Sequence, residues 1–193
     1  MIPVNLVLAS GSPRRLQLLA SIGLACEVAP VDIDETPRDN EAPVDYARRL
    51  AAEKLAAALE RHAPGTLVLA ADTVVALDET ILGKPADAGD ASRMLRRLSG
   101  RTHQVHTAVA AGRDARAAFR LSSSEVTFRH IGQNEIDAYV ASGEPLDKAG
   151  AYGIQGLAAM FVTHLSGSHS GVVGLPLCET ADLLHGFAVE VLA

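Results

Sequence analysis

Apolar residues recur along this chain in two periods, and the switching between them predicts the elements. Residues 4–8 form a short apolar β run, and Ser10-Gly11-Ser12 turns it into a helix that Pro13 can open, because the first helical N–H has no partner to lose. Ser12 is then the expected N-cap. Leu16, Leu19 and Ala20 keep helical spacing as far as Ile22, and Gly23 suits a stop before a short strand at 26–29. Pro43 opens a longer helix reaching about His62, with Val44, Ala47, Ala51, Leu55 and Ala58 as its buried stripe and Pro64-Gly65 as its end. Residues 66–71 are continuously apolar, the pattern of a strand buried on both faces, and they run straight into Asp72-Thr73-Val74-Val75. A clear helix follows at 87–98. Polar and apolar residues alternate at 101–110 and again at 121–128, which predicts two antiparallel strands joined near 112–116. A short helix at 134–141, a Gly-, Pro- and charge-rich stretch at 142–156, a strand at 159–165 and a last helix at 176–186 complete the chain. Strands interleaved with helices in this order predict an α/β fold with a three-layer mixed sheet rather than an all-parallel one, in one domain over residues 1–193, two-lobed around a central cleft.

Composition narrows the partners. The 193 residues are 48% hydrophobic and 21% charged, enough for one sizeable core. A net charge of −6 argues against a basic face broad enough for duplex nucleic acid, and the absence of Trp with 4% aromatics argues against a base-stacking platform. Cys26 and Cys178 lie far apart with no Cys-x-x-Cys spacing, and neither a signal peptide nor a membrane-spanning apolar run is evident. A cytoplasmic protein with no membrane partner is the expectation.

Several groups could carry chemistry. A helix N-terminus presents free N–H groups and a positive dipole end, and Arg14 and Arg15 would add two planar donor forks suited to phosphate; solvated arginines on an ordinary helix fit the same residues. Asp72, at the end of an apolar strand, stands where an open α/β sheet offers side chains to its crevice, although a turn cap would also place it there. The loop Asp32-Ile33-Asp34-Glu35 is acidic; it reads as solvated surface, or as the source of a carboxylate that with Asp72 would hold a hard divalent cation, Mg²⁺ by preference. At 100° per residue Lys54 falls within about 40° of the centre of the Ala47, Ala51 and Ala58 stripe and so faces inward. Taken alone it reads better as a snorkelling lysine than as a ligand. Lys84, in the rigid turn Gly83-Lys84-Pro85, is equally open, but Arg14, Arg15, Lys54 and Lys84 together could neutralise a triphosphate. His103 and His106, three apart on a strand, point to opposite faces and make no chelating pair. The glycine-punctuated loop at 143–156 could bring backbone groups and the Gln155 amide against a small planar ligand, or serve as a structural connection.

Taken in order, these motifs resemble one family, the Maf-like nucleoside triphosphate pyrophosphatases, whose fold is shared with inosine-triphosphatase-like enzymes. The resemblance is carried by Ser10-Gly11-Ser12-Pro13-Arg14-Arg15, Ala71-Asp72-Thr73-Val74-Val75, Gly83-Lys84-Pro85, Leu98-Ser99-Gly100-Arg101-Thr102-His103, the run from Asp147 to Gly156, and Val173-Gly174-Leu175-Pro176-Leu177. It implies cleavage between the α- and β-phosphates of a nucleoside triphosphate, with a divalent metal: Mg²⁺, or else Mn²⁺ or Co²⁺. Asp72 and Glu35 would be the catalytic and metal-holding carboxylates, and Ser10, Arg15, Lys54 and Lys84 would hold phosphates. Arg14, Lys54 and Gln155 in combination resemble the subgroup acting on dTTP and UTP, with Thr73 as a further specificity position. A homodimer is also implied, though no stretch marks an interface. Two competing readings are a non-catalytic nucleotide-binding regulator of septum formation and a pyrophosphatase of 7-methyl-GTP.

Overall fold

The computed structural model describes residues 5–191; Val4, expected in the first strand, lies outside them. The strands are β1 (Leu6–Leu8), β2 (Glu27–Val28), β3 (Leu67–Leu77), β4 (Thr80–Leu82), β5 (Thr102–Arg113), β6 (Arg116–Phe128) and β7 (Val162–Ser166). The helices are α1 (Pro13–Ser21), α2 (Pro43–Leu59), α3 (Ala88–Leu98), α4 (Gln133–Ala141), α5 (His169–Val173) and α6 (Leu177–His185), with three short 3₁₀ turns between Glu144 and Phe161. One sheet runs in the order β2-β1-β3-β5-β6-β7, with β4 paired to β3. β1 is parallel to both its neighbours and the other pairings are antiparallel, so the sheet is mixed as the sequence predicts.

Side-chain alternation along β3 and β5 assigns each face a cover. Val68, Ala70 and Val74 of β3, with Ala108 and Ala110 of β5, pack against Ala47, Ala51, Leu55 and Ala58 of α2. On the opposite face Leu67, Leu69, Ala71, Val109 and Ala111 meet Leu19 of α1 and Leu183 and Leu184 of α6. Farther along that face Val75, Leu77, Val105 and Phe128 meet Leu95 and Leu98 of α3 and Ile136 and Tyr139 of α4. Between these two apolar clusters lies a polar strip containing Thr73 and Thr107, which stand directly opposite one another across β3 and β5.

Several elements differ from expectation. Asp72 does not end its strand: β3 continues to Leu77, turns through Asp78 and Glu79, both at positive φ, and returns as β4. Two consecutive left-handed residues usually call for Asn-Gly or Asp-Gly, so Asp-Glu hides this hairpin from the sequence. Ser12 occupies the N-cap position of α1 but makes no side-chain cap bond. Its own N–H is turned instead onto Ser10 Oγ, at 3.2 Å. The strand expected at 159–165 starts only at Val162, because residues 157–161 coil as a 3₁₀ turn. β6 starts at Arg116, its first half exposed and without clean alternation, and α5 was not expected.

The extra reach of β3 makes an opening. On one edge β3 pairs with β1 through Leu67–Leu69 and with β4 through Val75–Leu77, while β5 occupies the other edge throughout. Residues 70–74 therefore have no strand beside them on the first edge, and Asp72 lies at the centre of that window.

The segment that leads into α2 is pinned by an ion pair. Arg49 donates from Nε and Nη2 to the two carboxylate oxygens of Glu41, at 2.6 and 2.7 Å, and Arg49 Nη2 also reaches Thr36 O. The Arg49 hydrogen bonds hold the Glu41 carboxyl at about 2 against the opposing pull of burial, with help from the Arg38 N–H. A carboxyl depressed on folding stabilises the protein above its unfolded pKa, and that gain is lost as pH falls through the folded value. Glu41→Gln is therefore expected to lower the urea midpoint at pH 7, and the gap from wild type should close as pH falls from about 4.5 towards 2. A gap independent of pH would mean that the ion pair is not its source.

Candidate active site

The β3 window opens into a cleft of about 980 Å³ lined by the nine residues that the family resemblance assigns to the site: Ser10, Arg14, Arg15, Glu35, Lys54, Asp72, Thr73, Lys84 and Gln155. They arrive from six segments. Asp72 comes from β3, on the face covered by α2, and Lys54 extends from α2 to meet it, with Nζ donating to Asp72 Oδ1 at 2.7 Å. The same ammonium reaches Glu35 Oε1 at 2.5 Å, so the two carboxylates converge on one cation. The inward-facing lysine thus has a partner that neither the stripe nor the acidic loop reveals alone. Asp32 and Asp34 do not line the cleft; Asp34 is tied to its own loop by the Thr36 N–H.

The environments of the two carboxylates differ. Burial pushes Asp72 above the ordinary carboxylate range, and Lys54 and Arg15 only partly offset it. Glu35 is about half exposed; burial raises it, but the Lys54 hydrogen bond and the charges of Lys54, Lys84 and Arg15 win and leave it lowered. A raised buried carboxylate beside a lowered exposed one gives one stronger base and one group that stays ionised. Tyr46 holds the Glu35 loop from α2, its hydroxyl donating to Glu35 O at 2.8 Å. Tyr46, Leu50 and Lys54 follow one another at four-residue spacing, the signal by which the sequence could have supplied Tyr46.

Arg15 is anchored on three sides. Nε donates to Gly174 O at 2.8 Å, Nη1 to Ser10 Oγ at 2.9 Å and Nη2 to Thr73 Oγ1 at 3.2 Å. Gly174 sits at φ +130°, where a side chain would be strained, and its open backbone brings that carbonyl to the guanidinium. Of the five guanidinium N–H groups, one on each terminal nitrogen is left for a ligand. Burial lowers the pKa of Arg15, with Asp72 opposing. Ser10 Oγ accepts from both Arg15 and Ser12 N, so the hydroxyl proton is what it has left to offer.

Arg14 points elsewhere. Its Nη1 crosses to Asp147 Oδ2 at 3.2 Å, and Asp147 is also bound by Lys148. The two arginines of one motif are thus separated, one anchored within the cleft and one at its rim. Nothing in the sequence spacing relates Asp147 to Arg14, 133 residues away. Lys84 and Gln155 are exposed on neighbouring turns. Gly150, at φ +69°, donates its N–H to Gly83 O and lies so close to Val75 that a Cβ would meet that side chain at 2.9 Å, so the Gln155 loop is locked onto the Lys84 turn. His103 and His106 stand on opposite faces. His103 is hydrogen-bonded to Tyr152 Oη at 2.8 Å, and burial lowers it to about 4.

Among the described residues no group of three or more His, Cys, Asp or Glu is placed to hold a metal ion. Asp72 and Glu35 alone suit a hard divalent cation that takes its remaining oxygens from phosphate and water, the usual manner of Mg²⁺. The donor set fits a cation that arrives with a polyphosphate.

Fold and cleft together define a class: an α/β protein whose mixed sheet sets carboxylates against arginines and lysines in one opening, as nucleotide-phosphate chemistry requires. Residues 5–187 match the family of Maf-like proteins, and the chain belongs to that family. It is 55% identical over 184 residues to the dTTP/UTP pyrophosphatase of Anaeromyxobacter dehalogenans, covering 93% of this chain and 92% of that one. To the dTTP/UTP pyrophosphatase of Shewanella oneidensis it is 55% identical over 189 residues, covering 94% and 97%. Among solved structures, that of the Staphylococcus aureus Ham1 protein overlaps in part, with TM-score 0.47 and 14% identity over 64% of this chain and 71% of that one, too loosely to carry an argument.

Proposed function

We propose that this protein is a nucleoside triphosphate pyrophosphatase, hydrolysing dTTP and UTP to the monophosphate and pyrophosphate. The observation that carries the reading is the convergence of Asp72 and Glu35 on Lys54 in a cleft that Arg15 and Lys84 also enter. The names of relatives 55% identical over nearly the whole chain support the substrate class. Hydrolysis of the α–β anhydride adds water oxygen to one phosphorus, breaks one P–O bond and releases pyrophosphate as the leaving group. The protein's share of such a reaction is positioning and charge neutralisation. Asp72, with its raised pKa, takes the proton of the attacking water; Arg15, Lys84, the third Lys54 N–H and the Ser10 hydroxyl bind phosphate oxygens. Asp72 and Glu35 would hold a divalent cation, Mg²⁺ first and Mn²⁺ or Co²⁺ as alternatives, which would supply charge neutralisation at the phosphates. Gln155 offers one donor and one acceptor to the pyrimidine O4/N3 edge. A protein that only binds nucleotide has no use for a buried carboxylate of raised pKa beside its phosphate site. Among the described residues no helix is long and apolar enough to cross a membrane.

The test is pyrophosphate release from a panel of triphosphates with Mg²⁺. dTTP and UTP should be hydrolysed with the highest kcat/KM; turnover of 7-methyl-GTP instead, or of nothing, overturns the reading. Arg14→Ala, at the rim, is expected to reduce the preference for dTTP over GTP about tenfold, the worth of one charge-assisted hydrogen bond. An unchanged preference removes Arg14 from substrate selection.

A further inference from the structure

Arg15 is held at two points by the α5 segment, and only one of them is direct. Gly174 O takes the Arg15 Nε–H at 2.8 Å. The other link runs through the polar strip of the sheet: Arg15 Nη2 to Thr73 Oγ1 at 3.2 Å, Thr73 Oγ1 to Thr107 Oγ1 at 3.0 Å, and Thr107 Oγ1 to Gly171 O at 2.8 Å. The direction of this chain is fixed by its ends. A carbonyl can only accept, so the single Thr107 proton goes to Gly171; Thr107 Oγ1 must then accept from Thr73, whose own lone pair receives the arginine N–H. Every hydroxyl proton is committed. Thr107 is fully buried and does not line the cleft, so it touches no ligand.

We infer that Thr107 is a positioning residue for the Arg15 guanidinium, acting through the Thr73 hydroxyl and anchored on the Gly171 carbonyl. This rests on the reading of the cleft as a triphosphate site. A guanidinium binds phosphate through the plane of its fork, so fixing Nη2 from behind sets which way its remaining N–H groups point. The relay also gives Thr73 a task apart from contact with the base: its proton faces Thr107, away from any ligand.

Thr107→Val keeps the β-branched shape and breaks the chain, Thr107→Ser keeps the chain, and Arg15→Lys removes the fork that the chain orients. For the full-length protein, Thr107→Val is expected to raise KM for dTTP, and to weaken calorimetric binding of inorganic pyrophosphate, by about tenfold, with kcat within about twofold of wild type. Thr107→Ser should restore both. In the Arg15→Lys background Thr107→Val should cost nothing further, because there is no fork left to aim. Should the valine variant fail to fold, Thr107→Ala is measured in the same way. The inference is overturned if KM and pyrophosphate affinity are unchanged in Thr107→Val, if serine fails to rescue, or if the effects of the Thr107 and Arg15 substitutions multiply independently, as a packing defect would. If wild type binds pyrophosphate but hydrolyses no dTTP, the functional reading fails while the calorimetric comparison still decides the role of Thr107; if it hydrolyses dTTP without binding free pyrophosphate, the KM comparison decides that role; if it does neither, both fall.

Discussion

Asp72→Asn is expected to reduce kcat for pyrophosphate release from dTTP by about 100- to 10,000-fold, the range assigned to a positioned general base. The amide keeps the volume and one acceptor for Lys54 Nζ but cannot take a proton from water. Binding of dTTP without divalent cation, followed by calorimetry, should weaken only a few-fold, because Arg15, Lys84 and the Ser10 hydroxyl are untouched. A loss of affinity that accounts for the whole loss of kcat/KM would place Asp72 in binding rather than in proton transfer, and activity within tenfold of wild type would remove it from both.

Lys54→Met should be comparably damaging for a different reason. Lys54 is the largest influence opposing the burial of Asp72 and the foremost of those that outweigh the burial of Glu35, so its loss raises both carboxyls. The acid limb of the pH–rate profile is expected to move to higher pH, with kcat at neutral pH down at least about 100-fold, as for the loss of a catalytic group. Stability should show the same cause. A carboxyl raised on folding contributes most below its unfolded pKa, and that contribution is lost as pH rises through the folded value. The variant should therefore lose stability from pH 4 to pH 8 more steeply than wild type, and by about 3 kcal/mol at pH 8, since removing one partner of a buried pair leaves the other uncompensated. Parallel stability curves for variant and wild type would mean that Lys54 does not set the titration of Asp72 and Glu35.

Legibility in the sequence followed the range of the physics. Lys54 could be turned inward because helical periodicity is local, and Pro13 and Pro43 marked helix starts because their missing N–H acts on their own turn. The mixed sheet followed from alternation in β5 and from unbroken apolar runs in β3. The shared cleft of nine residues came from the resemblance to a family, since no spacing rule links residue 15 to residue 155. What stayed hidden was set by contacts at a distance or by unusual local chemistry. The β3–β4 hairpin turns on Asp78 and Glu79, which carry no glycine signal. Asp147 meets Arg14 only through folding, and Thr107 is one more hydroxyl on a polar strand until Gly171 is laid over it.

The notch in the pairing of β3 divides what this protein could change from what it could not. Asp72 is fixed to a strand pinned at Leu69 by β1, at Val75 by β4 and along its far edge by β5, so its backbone is held as the core is held. Arg14, in the first turn of α1, and Gln155, in an exposed turn, stand at the rim and carry little of the packing. On the proposed reading of the cleft, exchange of a few rim residues would retarget the chain to another base while the placement of Asp72 on β3 is kept.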